Sequence, residues 1–304
     1  MLLLKYTLIY GVVLMLVALG GMFSERSGII NIALEGIMVI GGLMGVITIA
    51  LLPAGTPGVL VVILSILVAA VAGMLYAMLL AFASINLKAD QTIGGTALNM
   101  LATALAMVVA KSFNGSASAK LDYSNKAFLF DIGPLTVNVF LFIGIAVLAV
   151  AAVVLYRTRF GLRLRACGEH PQAADSVGIN VYRMRYAGVM ISGVLGGIGG
   201  FAYIIPSVSS WNFEVGVAGT GFLALAVMIF GQWKPGNIAL AAIFFAIFKA
   251  LANIADSTFL SALGWSRNIY NMMPFIASMV ILAFTSKNSR APKSEGIPYD
   301  KGQR

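Results

Sequence analysis

The stretch Gly58-Val59-Leu60-Val61-Val62-Ile63-Leu64-Ser65-Ile66-Leu67-Val68-Ala69-Ala70-Val71-Ala72-Gly73-Met74-Leu75-Tyr76-Ala77-Met78-Leu79-Leu80-Ala81-Phe82-Ala83 contains no charged side chain. A helix rises about 1.5 Å per residue, so about 20 apolar residues cross the hydrocarbon of a bilayer. This stretch is longer than that, and it lacks the polar face that a soluble surface helix would carry. Working outward, runs of similar character fall at 6–22, 29–52, 93–111, 137–156, 186–205, 217–231, 237–255 and 268–286. Short separators with turn chemistry lie between them, among them Leu52-Pro53-Ala54-Gly55-Thr56-Pro57-Gly58 and Gln232-Trp233-Lys234-Pro235-Gly236. The 304 residues are 60% hydrophobic and 10% charged, with a mean hydropathy of +0.95. Soluble domains hold about 45–50% apolar and about 25% charged residues. The reading is an all-α polytopic membrane protein with about nine transmembrane segments, broken or re-entrant helices among them, forming a single domain over 1–304.

Three hydrophilic stretches are longer: 111–136, 157–186 and the tail 287–304. The second carries Arg157, Arg159, Arg163, Arg165, Arg183 and Arg185, and the tail carries Lys287, Arg290 and Lys293. Lysine and arginine near span ends mark the cytoplasmic side, so both are expected there, and 112–136 is expected outside. Counting back through nine crossings puts the N-terminus outside, although Lys5 favours the opposite. Met1 to Gly21 has only Lys5 ahead of a long apolar run and reads as a retained first helix rather than a signal peptide. The net charge of +9 thus reflects sidedness and not a nucleic-acid footprint. One cysteine, Cys167, and one histidine, His170, leave no material for a disulfide framework, a thiolate zinc site or haem ligation. No metal site is expected.

Several residues are candidates for a solute pathway. Asn31 and Glu35 are spaced i, i+4, which on a helix puts them on one face. An ionisable group inside an apolar run costs on the order of 3 kcal/mol to insert and usually faces a polar cavity; the plainer alternative is a Glu35 that caps a helix start or pairs with Arg26. Two stretches, Thr92-Ile93-Gly94-Gly95-Thr96-Ala97-Leu98 and Val217-Ala218-Gly219-Thr220-Gly221-Phe222-Leu223, each set glycine and threonine at the opening of an apolar helix. They suggest a duplicated architecture of the kind that carries midplane transport sites. Gly219-Thr220-Gly221 lacks the following Lys of a phosphate loop. Trp211 and Phe213 are belt anchors or, alternatively, faces on which a flat solute stacks. Lys249 is expected to snorkel outward or to pair with Asp256. The glycine spacings Gly193/Gly197, Gly196/Gly200 and Gly41/Gly45 read as close helix crossings.

The 157–186 loop is long for a positive-inside connection. Pro171 suits the first turn of a short helix, with Gly168 and Gly178 punctuating its ends, so a compact helix lying on the cytoplasmic face is expected. The stretch Gly168-Glu169-His170-Pro171-Gln172-Ala173-Ala174-Asp175-Ser176-Val177-Gly178-Ile179-Asn180 resembles the coupling-loop motif of permease subunits of bacterial ABC importers, in the branch that includes ribose, branched-chain amino acid and nucleoside systems. Within it, Gly28-Ile29-Ile30-Asn31-Ile32-Ala33-Leu34-Glu35-Gly36-Ile37-Met38 is most similar to the nucleoside (simple-sugar-type) permeases. Ribose permeases have an acidic residue where Asn31 stands, and amino-acid permeases usually have His-Gly near Leu34-Glu35. The resemblance spans about 6–286. Two departures are visible: the chain begins one helix later than ribose permeases, and His170 stands where the motif often has Asn.

That resemblance implies a type II-like importer fold in the bacterial cell membrane, working by alternating access. It also implies partners: a second permease subunit, a paralogue in preference to a copy of this chain; cytoplasmic ATPases that bind the ATP and Mg; and an extracytoplasmic solute-binding lipoprotein. Gly168, Glu169, Pro171, Ala173, Ala174 and Gly178 would couple to the ATPase. A nucleoside is polar and uncharged, which suits a pathway of Asn31, Glu35, Thr92, Thr96, Asn99, Phe213 and Thr220. Ribose or another simple sugar is the alternative solute. An ion-coupled secondary transporter would need intramembrane carboxylates, of which only Glu35 is available. An enzyme would need a nucleophile–base pair or metal ligands, and only Cys167 with His170 offers even a candidate. No catalytic residue and no cofactor of the chain's own is expected.

Overall fold

A computed structural model describes residues 2–53, 55–132, 135–206, 208–255, 267–285 and 291–302. Each of the nine apolar runs becomes a helix: α1 (Leu2–Glu25), α2 (Leu34–Leu51), α3 (Gly58–Ala81, prolonged by a π turn over Phe82–Asn86), α4 (Gln91–Asn114), α5 (Val139–Arg157), then, after the two loop helices α6 (Arg159–Glu169) and α7 (Pro171–Ser176), α8 (Val181–Ile204), α9 (Thr220–Phe230), α10 (Pro235–Ile254) and α11 (Arg267–Thr285). Seven of these, α1–α5, α8 and α10, are long and apolar enough to cross a bilayer, while α9 and the apolar part of α11 are shorter. Of the nine segments expected, seven are long enough to cross among the described residues, and the two that are not are α9 and the apolar part of α11.

Helix starts follow local chemistry. Asp90 accepts from the N–H groups of Thr92 and Ile93 at 2.8 and 2.9 Å, and Asn138, Thr158 and Asn180 cap α5, α6 and α8 in the same way. The run 29–52 is not one helix, because residues 29–33 are unwound and α2 begins only at Leu34.

Packing is inverted relative to a soluble bundle. α1, α2 and α8 form the interior, whereas α3, α4 and α5 present Val59, Ile63, Leu67, Met100, Val108, Ile145 and Val150 outward. So large an exposed apolar belt is compatible with lipid or a second membrane subunit and not with water. Glycine makes the central crossing possible. A Cβ on Gly41 would lie 2.3 Å from the Cα of Gly197, and one on Gly200 would lie 2.0 Å from the carbonyl oxygen of Met38. The spacings read from sequence as close crossings thus bring α2 and α8 into backbone contact.

The bundle has two distinct ends. One holds the C-terminal end of α1, α6 and α7, the α9–α10 turn and the tail 291–302, joined by Arg26–Glu169, Trp233–Glu25 and Ser294–Gly168 contacts. The other holds the N-terminal end of α1 and two small antiparallel sheets. In one, β1 (Lys120–Asp122) pairs with β4 (Ser210–Asn212), Leu121 opposite Trp211; in the other, β2 (Leu129–Ile132) pairs with β3 (Leu135–Asn138).

Candidate solute site and coupling face

The unwound stretch between α1 and α2 is held by side chains reaching in from α4 and α8. Gln91 accepts from the N–H of Ile30 at 2.7 Å, and the amide of Asn31 donates to Ser192 at 2.8 Å. Asn99 closes a two-way clasp: its Oδ1 accepts from the N–H of Gly36 at 2.7 Å and its Nδ2 donates to the carbonyl of Ile32 at 2.9 Å. Backbone left unpaired by unwinding must find such partners inside a bilayer. This corrects the helical-face reading of Asn31 and Glu35: Asn31 precedes α2, is fully buried, and faces Ser192.

Glu35 in the first turn of α2 does cap a helix start, but that of a distant helix. Its Oε1 accepts from the N–H of Gly219 at 2.8 Å and its Oε2 from the N–H of Gly221 at 2.6 Å. The carboxylate thereby satisfies donors at the N-terminus of α9 and complements the positive end of its dipole. Thr220, in the same turn, is buried and lies 3.4 Å from the ammonium of Lys249, which sits 5.9 Å from the ring centres of both Tyr203 and Phe275. Carboxylate, helix dipole and ammonium compensate one another away from water. The backbone around α9 is strained. Four described non-glycine residues adopt left-handed conformations, and three of them flank this helix: Ala218 (φ 52°), Gln232 (φ 53°) and Trp233 (φ 52°). Each such residue costs about 1–3 kcal/mol and persists only where surrounding contacts hold it.

Above this network lies a cavity of about 410 Å³ at the end opposite α6 and α7. Aromatic faces from α1 (Tyr6, Tyr10), α8 (Tyr203), β4 (Trp211) and α11 (Phe275) wall it, while Lys249, Asn253 and Asn271 supply polar groups and Ala218 lies at its edge. Tyr203 and Trp211 meet edge-on at 5.6 Å, and the indole N–H of Trp211 donates to the carbonyl of Gly216 at 3.1 Å, which fixes the ring. Concave volumes of about 300–1,000 Å³ with aromatic walls and a few aimed polar groups are typical of small-molecule sites.

The sequence-derived pathway residues are only partly brought together here. Glu35 and Thr220 lie beneath the cavity; Asn31 and Asn99 secure the unwound segment; Thr92 and Thr96 are exposed on the outer face of α4, Thr96 bonding its own helix's carbonyls; and Phe213 is buried in a 3-10 turn. Lys249 does not snorkel outward, and its suggested partner Asp256 lies outside the described residues. The stretches opening at 92 and 217 do both begin helices, one of 24 residues and one of 11. Sequence reasoning missed Tyr6, Tyr10, Tyr203, Asn253, Asn271 and Phe275. The available signal was spacing: Tyr6/Tyr10, Lys249/Asn253 and Asn271/Phe275 are i, i+4 pairs, each presenting one face to a common space.

At the other end, the loop forms two helices in place of one. His170 (φ −152°, ψ 83°) breaks the chain between α6 and α7, and Pro171 opens α7. Gly168 sits in the last turn of α6, two residues before that break, and a Cβ there would come within 2.4 Å of the carbonyl oxygen of Arg26. Glu169 pairs with Arg26 at 3.7 Å. On α7 and just past it Ala174 is buried, whereas Gln172, Ala173, Ser176, Val177 and Gly178 are exposed, Gly178 with φ 83°. The tail crosses this region: Ser294 donates to the carbonyls of Gly168 and Glu169 at 2.8 and 3.3 Å, Tyr299 stacks edge-on against Tyr182, and Asp300 pairs with Lys88 at 2.8 Å. Burial pushes the Cys167 thiol up to about 11. It is thus a neutral thiol near pH 7 and a poor nucleophile beside His170.

A bundle of this kind, with a solute-sized cavity at one end and an exposed short helix at the other, defines a membrane permease. Residues 3–283 match the family described as the permease component of the branched-chain amino acid transport system, and the chain belongs to that family. It is a multi-pass membrane protein, and the family consists of transporter permeases rather than enzymes. It is 40% identical to the nucleoside ABC transporter permease protein NupC of Lactococcus lactis, covering 97% of this chain and 96% of that one. It is 39% identical to the guanosine ABC transporter permease protein NupQ of Bacillus subtilis, covering 98% and 96%. A second Lactococcus lactis protein, the nucleoside ABC transporter permease protein NupB, is 28% identical over 38% of this chain and 31% of its own length.

Proposed function

We propose that the chain is the solute-conducting subunit of an ATP-driven nucleoside importer and that the aromatic cavity is a station on the nucleoside's path. The observation that carries this is the cavity's chemistry: flat rings of Trp211 and three tyrosines beside the amides of Asn253 and Asn271. A nucleobase stacks on such faces for about 1–3 kcal/mol per base, and amides match the donors and acceptors of a base edge or a ribose. Ribose alone has no π face to stack on the rings. The names of NupC and NupQ point to the same solute class. Glu35 and Thr220 support the floor of the station, and Asn31 and Asn99 hold the segment that carries Glu35.

The arginine-rich end of α5 and α6 faces the cytoplasm by the positive-inside rule, which puts the cavity and the N-terminus outside. An ATPase dimer, holding ATP and Mg, docks on α7 through Gln172, Ala173 and Val177. A solute-binding lipoprotein delivers nucleoside to the cavity, and a paralogous permease completes the membrane pair, as the occurrence of NupB beside NupC in one organism suggests. The chain itself performs no hydrolysis. Alternating access follows when ATP-driven closure presses on α7 and rocks the bundle. Competition against labelled guanosine in proteoliposomes of the assembled complex tests the solute. Unlabelled nucleosides are expected to block uptake and ribose in hundredfold excess is not; the reverse order would refute the reading.

A further inference from the structure

We infer that α9 is the linkage between the coupling face and the cavity, and that Glu25 and Glu35 are the positioning residues that fasten its two ends. The inference rests on the importer reading above and deepens it. Both carboxylates belong to the α1–α2 connection: Glu25 ends α1, Glu35 lies in the first turn of α2, and the unwound stretch runs between them. Glu35 holds the top of α9 through the N–H groups of Gly219 and Gly221. Glu25 holds the bottom, accepting from the indole N–H of Trp233 at 2.6 Å.

Each clamp secures strained backbone. At the top, Ala218 is left-handed and borders the cavity; at the bottom, Gln232 and Trp233 are consecutively left-handed. Conformations of this kind relax when the contacts that hold them are withdrawn, so both ends of α9 are loaded hinges. Between them the helix has 11 residues, a rod of about 16 Å.

The bottom hinge is wired to the coupling face. Arg26 donates from Nη2 to the carbonyl of Trp233 at 3.2 Å while its Nη1 pairs with Glu169 at 3.7 Å. Gly168 packs its bare Cα against the carbonyl of Arg26, so α6 cannot shift without displacing that residue. The top hinge is wired to the cavity. Thr220 approaches Lys249 at 3.4 Å, and a Cβ on Gly219 would lie 3.3 Å from Phe275, a wall residue. Force on Glu169 thus passes through Arg26 and Trp233 into α9 and emerges at the cavity floor.

The test uses the complete complex of permease pair, ATPase and binding protein in proteoliposomes, after wild type has been shown to accumulate guanosine on addition of ATP; a wild type that accumulates none refutes the importer reading itself. Trp233→Phe keeps the ring and removes the N–H, and Glu35→Gln keeps the size and removes one acceptor. Trp233→Phe is expected to hydrolyse ATP within twofold of wild type, and in both variants guanosine accumulated per ATP is expected to fall at least tenfold. Independently of any substitution, a non-hydrolysable ATP analogue bound to the wild-type complex is expected to raise amide hydrogen exchange over 217–223 at least tenfold as the Glu35 clamp opens. A wild-type ratio in both assembled variants, or unchanged exchange over 217–223, overturns the inference.

Discussion

Replacing Asn99 by Ala isolates what the clasp on the unwound segment contributes. In the wild type the side chain satisfies two buried backbone groups, the N–H of Gly36 at 2.7 Å and the carbonyl of Ile32 at 2.9 Å. Ala removes both partners and offers no substitute. Leaving a buried donor or acceptor unsatisfied costs about 1–3 kcal/mol each, so the loss is about 2–6 kcal/mol. Thr96→Ala is the control, because Thr96 lies one turn away on the same helix, is exposed, and bonds only carbonyls of its own helix. Thermal unfolding in detergent, followed by loss of the monodisperse peak, is expected to show Asn99→Ala destabilised by several degrees and Thr96→Ala unchanged. Equal behaviour of the two variants would refute the view that α4 serves to pin the α1–α2 connection.

Four further outcomes follow from the same geometry. Gly200→Ala places a methyl 2.0 Å from the Met38 carbonyl and must part α2 from α8, at about 1–3 kcal/mol; a lowered midpoint in the same assay checks it. Trp211→Ala removes one stacking face; since about 1–3 kcal/mol is lost, half-saturation for guanosine uptake is expected to rise roughly 5- to 160-fold while surface expression holds. Glu169→Lys turns the Arg26 pair into a repulsion, and uptake and co-purification of the ATPase are expected to fail with normal membrane insertion. Burial raises the carboxyl of Glu295 above its ordinary 4.5, and its hydrogen bond with Glu25 makes the two carboxyls titrate as a pair, so the folded tail binds that proton more tightly than the released tail. Its hold is therefore full below about pH 4.5 and weakens as pH rises past that value; the fall of the thermal unfolding midpoint over this range is expected to be steeper in the wild type than in Glu295→Gln, in which Glu25 alone still titrates.

How far the chain could be read in advance varied with the kind of physics involved. Span position depends on local composition, and every apolar run matched a helix, because twenty apolar residues in lipid have no other way to satisfy their backbone. Gly41, Gly197 and Gly200 were legible for a similar reason: missing side chains matter only where another backbone arrives. The coupling loop is legible through Pro171, which opens α7, and Gly168, next to the end of α6, but the contact of Gly168 with Arg26 is not, because that partner is more than a hundred residues away. Asn31, Asn99 and Glu35 were recognised as significant polar groups in an apolar setting. Their partners were invisible, since Ser192, Gly36 and Gly219 are plain residues whose meeting is purely tertiary. Trp233 gave no signal beyond a turn, and its left-handed backbone and bond to Glu25 appear only once α9 and α1 are side by side. Lys249 is itself a clue to the cavity, because a lone ammonium in an apolar run rarely lacks a reason.

The central claim is that this chain is a gate for nucleosides that is driven from outside itself, by ATP hydrolysed on subunits docked at α7. The most direct measurement is the internal concentration of guanosine in sealed proteoliposomes, compared between the purified chain alone and the assembled complex, with and without ATP and with ion gradients collapsed. Accumulation above the external concentration only in the complex with ATP is the predicted result. Uphill accumulation by the chain alone, or its loss on collapsing an ion gradient while ATP is present, would contradict the account.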